Sequence, residues 1–141
     1  MGRRASREAA MKLLYQLEFQ KDDKKEQIAM ALEDESFTQK DKQYIEDIIE
    51  GVHSNIELID SVIENKATGW KIGRLSKIDL SILRIGIYEI LKRDDIPYSV
   101  SVNEAVELAK KYSNEDAGAF VNGLLAKVTK DGQITNEQAK E

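Results

Sequence analysis

The chain has 141 residues, of which 41% are apolar, so it is long enough to form one domain with a sizeable core. It has no cysteine and a single histidine, which excludes disulfides, cysteine-ligated zinc and multi-histidine sites, and we predict no metal and no cofactor. The formal net charge of −5, taken as an average, argues against a nucleic-acid partner. No apolar run approaches the roughly 20 residues of a membrane span and no signal peptide is evident, so we expect a cytoplasmic protein.

The charge is unevenly distributed along the chain. Residues 1–14 have a net charge of +3 and residues 66–93 one of +5, whereas residues 15–65 have −9 and residues 94–141 have −4. Two basic stretches are therefore separated by an acidic one, and the average conceals them.

Helical periodicity predicts the first elements. One helix is expected from about Arg4 to Gln20, and a short second helix around Ile28, ending near Glu35 after the charged stretch 21–25. Thr38 and Asp41 have the spacing of a capping box, which predicts the start of a third helix. Its apolar stripe continues to residue 63 across about seven turns, so we predict one long helix, bent at Gly51.

A break follows at residues 67–73, which we interpret as the junction between two halves. The next segment, residues 74–93, is apolar around nearly its whole circumference, so a central buried helix is predicted. Arg84 in its middle needs a partner: either Asp79 or Glu89, the nearest carboxylates in sequence, or an anion at an edge. Gly86 predicts a close contact between helices.

The last helices are predicted from their start signals. Pro97 ends the central helix, and the spacing of Ser101 and Glu104 predicts a capping box for a helix that continues to Tyr112. A second capping box is predicted from Ser113 and Asp116. The final helix is expected to close at residues 131–132, and the tail 133–141 to be frayed.

The sequence contains no convincing catalytic constellation. There is no glycine-rich phosphate loop and no His-Glu-x-x-His helix, and the only histidine is His53, on the side of the long helix. We therefore predict that the protein is not an enzyme and has no catalytic residue.

Several strings, in order along the chain, resemble the NusB family of bacterial transcription antitermination factors. They cover essentially residues 1–130 and comprise Arg3-Arg4-Ala5-Ser6-Arg7-Glu8, Ile82-Leu83-Arg84-Ile85-Gly86, Val102-Asn103-Glu104-Ala105-Val106 and Phe120-Val121-Asn122-Gly123-Leu124-Leu125.

The resemblance implies an all-α fold of six to seven helices, in two packed three-helix subdomains. The chain 1–141 would form a single NusB-like domain, with subdomain 1–66, junction 67–73, subdomain 74–132 and tail 133–141. The resemblance also implies binding to the boxA RNA of ribosomal RNA leader transcripts together with NusE, a small-subunit ribosomal protein. The larger complex would include NusA, NusG and RNA polymerase.

Site residues follow from the same resemblance, position by position. It implies contacts with RNA or positions near the RNA face for Arg3, Arg4, Arg7, Arg84, Tyr112, Asp116 and Phe120. It implies contacts with NusE for Tyr15 and Asp79. Directly before Phe120, many relatives have a basic residue, whereas this chain has Ala119. Whether Lys110 or Lys111 replaces that basic contact is left open.

Three alternatives stay open at this point. The chain could be a helical protein-protein adaptor that binds no RNA itself, or an RNA-binding module related to the N-terminal domains of ribosomal RNA methyltransferases. Tyr112 and Phe120 could stack on bases or pack in the core. The protein could be a monomer or a homodimer.

Overall fold

The computed structural model describes residues 3–67 and 72–128, and all regular elements in these ranges are helical. The α-helices are α1 (Arg3–Phe19), α2 (Lys24–Ala31), α3 (Gln39–Ser54), α4 (Ile56–Lys66), α5 (Lys77–Lys92), α6 (Tyr98–Tyr112) and α7 (Glu115–Leu125), with a 3-10 turn at Ile72–Arg74. This confirms the all-α prediction and the helix count. None of the helices in the described ranges is long and apolar enough to cross a bilayer.

The central position of α5 is the main feature of the packing. It contacts α1, α3, α4, α6 and α7, and its side chains from Leu80 to Ile90 are buried except for Arg84, which is half-buried. A Cβ added to Gly86 would lie 2.9 Å from Cδ1 of Leu125, so glycine permits the close approach of α7. The helix that is apolar on all sides is therefore the centre of the fold, as predicted.

The predicted long helix is in fact two helices, and this part of the prediction was wrong. The break lies at Asn55, whose φ of −114° and ψ of 21° interrupt the helix, rather than at Gly51. Asn55 donates from Nδ2 to the carbonyl of Gly51 at 2.8 Å, a local bond that competes with helix continuation. Because only one residue is non-helical, the apolar stripe continues into α4 and periodicity does not reveal the break. Gly51 instead accommodates Tyr88, whose Cζ would lie 2.2 Å from an added Cβ.

The start signals were correct at one helix and wrong at two. Thr38 and Asp41 form the predicted capping box, with reciprocal bonds of 2.9 and 3.1 Å. Ser101, however, lies inside the first turns of α6, which begins at Tyr98 directly after Pro97. The cap of α7 is Asn114 rather than Ser113, and its Oδ1 accepts from the N–H of Ala117 at 2.7 Å. The spacing of a capping box also occurs within helices and by itself does not identify a start.

Helix α2 lies earlier than predicted. It begins inside the charged stretch 21–25 and ends at Ala31, several residues before Glu35. The Gln27 side chain donates to the carbonyls of Gln20 and Asp22, which ties the preceding turn to the helix.

Some predictions fall wholly or partly outside the described residues. These are most of the junction 67–73 and the tail 133–141. The prediction that the last helix closes at residues 131–132 was wrong, because α7 ends at Leu125 and residues 126–128 are not helical. The division into two three-helix halves stays a prediction.

Candidate nucleic-acid interface

The three arginines predicted at the start of α1 lie in different surroundings. Arg4 is exposed and forms a bidentate pair with Glu104 of α6, at 2.9 Å from Nε and 2.7 Å from NH2. Arg3 is half-buried, with its guanidinium carbon 4.7 Å from the centre of the Tyr44 ring. Arg7 is 4% exposed and points into the protein. Only Arg3 and Arg4 therefore present their charge at the surface.

Arg7 belongs to a buried cluster around Glu89, a residue that is fully shielded from solvent. The two oxygens of Glu89 accept from Nε and NH2 of Arg7 at 2.8 and 2.9 Å, from the hydroxyl of Tyr44, and from Oγ of Ser101 at 2.8 Å. Burial alone would lower the pKa of Arg7, but the bonds and charge of Glu89 raise it. Burial and the neighbouring carboxylate also raise the pKa of Tyr44. The cluster connects α1, α3, α5 and α6.

A second set of contacts forms what we call the α1–α6 face, defined by Arg4, Lys12, Lys111 and Tyr112. Lys12 Nζ lies 5.5 Å and Lys111 Nζ 5.3 Å from the centre of the Tyr112 ring, which is half-buried. Lys111 also pairs with Glu8 at 2.5 Å, and this bond lowers the pKa of Glu8. Lys12 was not among the predicted site residues. Its position one helical turn after Glu8, on the same side of α1, was the feature of the sequence that could have placed Lys12 on this face.

Arg84 has partners other than those that the sequence suggested. Its Nε and NH2 donate to Asp60 of α4 at 2.9 and 2.8 Å, and its NH1 donates to Glu18 of α1 at 2.7 Å. Asp79 and Glu89 are each five residues away on the same helix, about 140° around its axis, and cannot face Arg84. Burial alone would lower the pKa of Arg84, but the hydrogen bonds and charges of Asp60 and Glu18 raise it. The guanidinium is held between α1 and α4, away from the α1–α6 face.

The structure brings three predicted residues together in a cleft between the start of α5 and α7. Asp79, Asp116 and Phe120 line this cleft, whose volume is about 250 Å³. Oδ1 of Asp79 is shielded from solvent and accepts no hydrogen bond from the described residues. Asp116 is exposed and Phe120 half-buried against the core. Residues predicted to contact RNA and to contact NusE therefore share one cleft.

Tyr15, the other residue predicted to contact NusE, is half-buried near the end of α1. Its ring meets that of Phe19 edge to face, with centroids 5.0 Å apart. Phe19 is 62% exposed, so the pair presents an aromatic surface. Phe19 lies one helical turn after Tyr15 and was missed.

Arg3 also lines a second cleft, between the starts of α1 and α3 and the end of α5, which contains residues that were not predicted. Arg93 at the end of α5 donates to Asp47 at 2.9 Å and makes a bidentate pair with Asp95. The bond to Arg93, despite some burial, lowers the pKa of Asp95 to about 2. Burial and the hydrogen bond to Asp47 raise the pKa of Tyr88 to about 12. In the described ranges, no cluster of three or more potential metal ligands occurs.

Comparison with known proteins agrees with this architecture. The profile of the NusB family matches residues 4–130. The transcription antitermination protein NusB of Ruminiclostridium cellulolyticum is 77% identical over 137 residues, which cover 97% of this chain and 94% of the relative. NusB from T. maritima superposes with a TM-score of 0.84 at 34% identity and covers 100% of this chain and 99% of its own.

A further solved structure is described as the antitermination factors NusB and NusE in complex with dsRNA. It matches with a TM-score of 0.79 at 28% identity, covering 88% of this chain and 92% of that one. The family is one of transcription antitermination factors rather than enzymes. The chain belongs to the NusB family.

Proposed function

We propose that the chain is a transcription antitermination factor that binds RNA together with NusE. The observation that carries this proposal is the 77% identity, over nearly the full length, to a protein named transcription antitermination protein NusB. The structural similarity to a NusB, NusE and dsRNA complex supports both partners. In its specific form, the proposal is that the RNA is the boxA element of ribosomal RNA leaders and that the cytoplasmic complex includes NusA, NusG and RNA polymerase.

The RNA surface in this proposal is the α1–α6 face together with Arg3. Arg4, Lys12 and Lys111 supply cations for backbone phosphates, and the half-buried Tyr112 supplies a ring on which a base can stack. Their charges are partly balanced by Glu8 and Glu104. We infer that RNA phosphates replace these carboxylates as partners, which makes nonspecific binding weak.

Asp116 and Phe120 extend the proposed surface along α7. The half-buried ring of Phe120 offers its exposed part to a base, whereas the exposed carboxylate of Asp116 repels phosphate and favours hydrogen bonding to a base edge. Arg7 and Arg84 remain in the proposal, but their present ion pairs support an indirect role: Arg7 holds the start of α1, and Arg84 joins α1 to α4.

The NusE surface in the proposal consists of Tyr15 with Phe19, and of Asp79. An aromatic pair in which Phe19 is exposed and Tyr15 half-buried is typical of a protein interface. The carboxylate oxygen of Asp79 that has no donor among residues 3–67 and 72–128 is suited to a hydrogen-bond donor from a partner.

The test is titration of boxA RNA and of a scrambled RNA, with and without NusE, at several salt concentrations. We expect tighter binding to boxA in the presence of NusE, with log K falling steeply as log salt rises. Light scattering in the same buffer would distinguish monomer from homodimer. Equal affinity for both RNAs would refute boxA recognition, and no RNA binding would favour the adaptor alternative.

Variants separate the two surfaces. Lys12→Ala should weaken RNA binding, whereas Lys25→Ala, an exposed lysine on α2, serves as the matched control. Asp79→Lys should weaken NusE binding more than it lowers thermal stability. Unchanged NusE affinity in Asp79→Lys would contradict this part of the proposal.

A further inference from the structure

A cleft on the side of the α1 start that faces α3 has the features of an anion site. It has a volume of about 450 Å³ and lies between the first turns of α1 and α3 and the end of α5. Its lining includes Arg3, Lys40, Gln43 and Arg93, so three of its side chains are cations from three different helices or their ends. Neither Lys40 nor Gln43 belongs to the predicted RNA surface.

The carboxylates of this cleft are already bound. Asp47 and Asp95 both line it, and both are held by Arg93, at 2.9 Å for Asp47 and at 2.9 and 2.8 Å for Asp95. Asp47 also accepts from the hydroxyl of Tyr88 at 2.9 Å. The two acidic groups therefore have Arg93 and Tyr88 as their hydrogen-bond partners. The charge of Arg3 also acts on Asp95, but the two side chains form no ion pair.

Arg3 and Lys40 have no carboxylate partner among the described residues. Arg3 lies on the Tyr44 ring, and its NH1 is shielded from solvent without a hydrogen-bond acceptor in the described part of the chain. An unsatisfied, shielded guanidinium N–H is costly, and an anionic oxygen would satisfy it. Arg4, Arg7, Arg84 and Arg93, by contrast, all have carboxylate partners.

We propose that this cleft binds a backbone phosphate of the RNA, with Arg3 and Lys40 as its cationic ligands and Gln43 as a further donor. The proposal rests on the proposed function. Arg3 and Arg4 are adjacent in sequence, but Arg4 contacts α6 whereas Arg3 contacts α3. An RNA strand on the α1–α6 face can therefore pass over the start of α1 and place its next phosphates in the cleft.

The test compares Lys40→Ala with Lys25→Ala in RNA titrations at several salt concentrations. Lys40 is an exposed residue in the first turn of α3, where a cation opposes the helix dipole, so its removal should not lower thermal stability. Loss of one single-strand phosphate contact lowers the salt slope by about 0.7, which corresponds to about fivefold weaker binding at 0.1 M salt. We expect this change for Lys40→Ala and none for Lys25→Ala.

A second measurement locates the contact without substitution. Acetylation of lysines by a water-soluble reagent, followed by mass spectrometry, should be slowed at Lys40 by bound RNA and unchanged at Lys25. Equal slopes for the two variants, or equal acetylation of Lys40 with and without RNA, would overturn the proposal. These outcomes require that the unmodified protein binds RNA, whereas failure of the unmodified protein to bind would refute the proposed function itself.

Discussion

Replacing Glu89 by glutamine is expected to destabilise the fold by about 3–5 kcal/mol, the range found when one partner of a buried ion pair is removed. Glutamine preserves the shape of the side chain but removes its charge. Arg7, which is 4% exposed, would then be a buried cation without a counter-charge. Since small proteins have total stabilities of about 5–15 kcal/mol, such a loss is a large part of the total.

The hydrogen bonds support the same magnitude. One oxygen of Glu89 accepts from Arg7 and Tyr44, and the other from Arg7 and Ser101. In either orientation, the amide of glutamine replaces one of these acceptor oxygens by an NH2 donor. One N–H of Arg7 then loses its acceptor, whereas the neighbouring hydroxyl can rotate and accept from the amide. Tyr44 and Ser101 are neutral donors to a charged acceptor, and such a bond contributes about 1.5–3 kcal/mol, so Ser101→Ala and Tyr44→Phe should each cost about that amount.

The assay is urea denaturation followed by circular dichroism at 222 nm, with the free energy of unfolding taken from the linear extrapolation. A loss for Glu89→Gln no larger than that for Ser101→Ala would refute the argument, because it would mean that Arg7 finds another partner or water. The same measurement bears on Arg7 itself. Because Arg7 is buried and Arg4 is exposed, we expect Arg7→Ala to unfold far more readily than Arg4→Ala.

Three further predictions concern glycines of α3 and α7, a tyrosine of α5, and the α1–α6 face. Gly123→Ala should stabilise the fold by about 0.5–1 kcal/mol, because Gly123 lies in a helix and nothing lies within 4 Å of the added Cβ. Gly51→Ala should destabilise the fold, because the added Cβ would overlap with the Tyr88 ring. Thermal melts of both variants check these two expectations. Tyr88 should titrate near pH 12, because its pKa is raised from 10 in the folded protein. Its contribution to the free energy of unfolding is therefore complete below pH 10 and is lost as the pH rises towards 12. Ultraviolet titration of the protein and of Tyr88→Phe would detect this. Glu104→Gln should strengthen RNA binding, because it frees the exposed Arg4, with little change in stability; unchanged affinity would remove Arg4 from the RNA surface.

The parts of the fold that could be predicted from sequence are those that a repeated pattern specifies. The all-round apolar segment 74–93 became the central α5, and Thr38 with Asp41 became the start of α3. In each case several residues carry the same signal. The errors lie where one residue decides the outcome, as Asn55 does between α3 and α4, and as Asn114 does at the start of α7.

The errors at the two predicted serine caps have a common physical cause. A serine three residues before an acidic side chain stabilises a helix start only if its backbone is non-helical. At Ser101 the chain is already helical, because Pro97 has the backbone geometry of a start, and the hydroxyl is used for Glu89 instead. A buried acceptor elsewhere in the fold thus determined the role of Ser101, and no local pattern contains that information.

The same limit applies to the arginines, and it explains why charge by segment gives only a coarse indication of the RNA surface. Arg7 and Arg84 lie in the two basic stretches, yet both are neutralised by carboxylates from distant segments: Glu89 for Arg7, and Glu18 with Asp60 for Arg84. The acidic stretch 15–65 therefore supplies the partners of Arg84, whereas Arg7 is paired with a carboxylate of the other basic stretch. The cationic side chains that a polyanion can bind most readily are those that the fold leaves without a carboxylate partner. By that criterion Arg3 and Lys40, from different segments, are stronger candidates than the density of arginines alone would indicate.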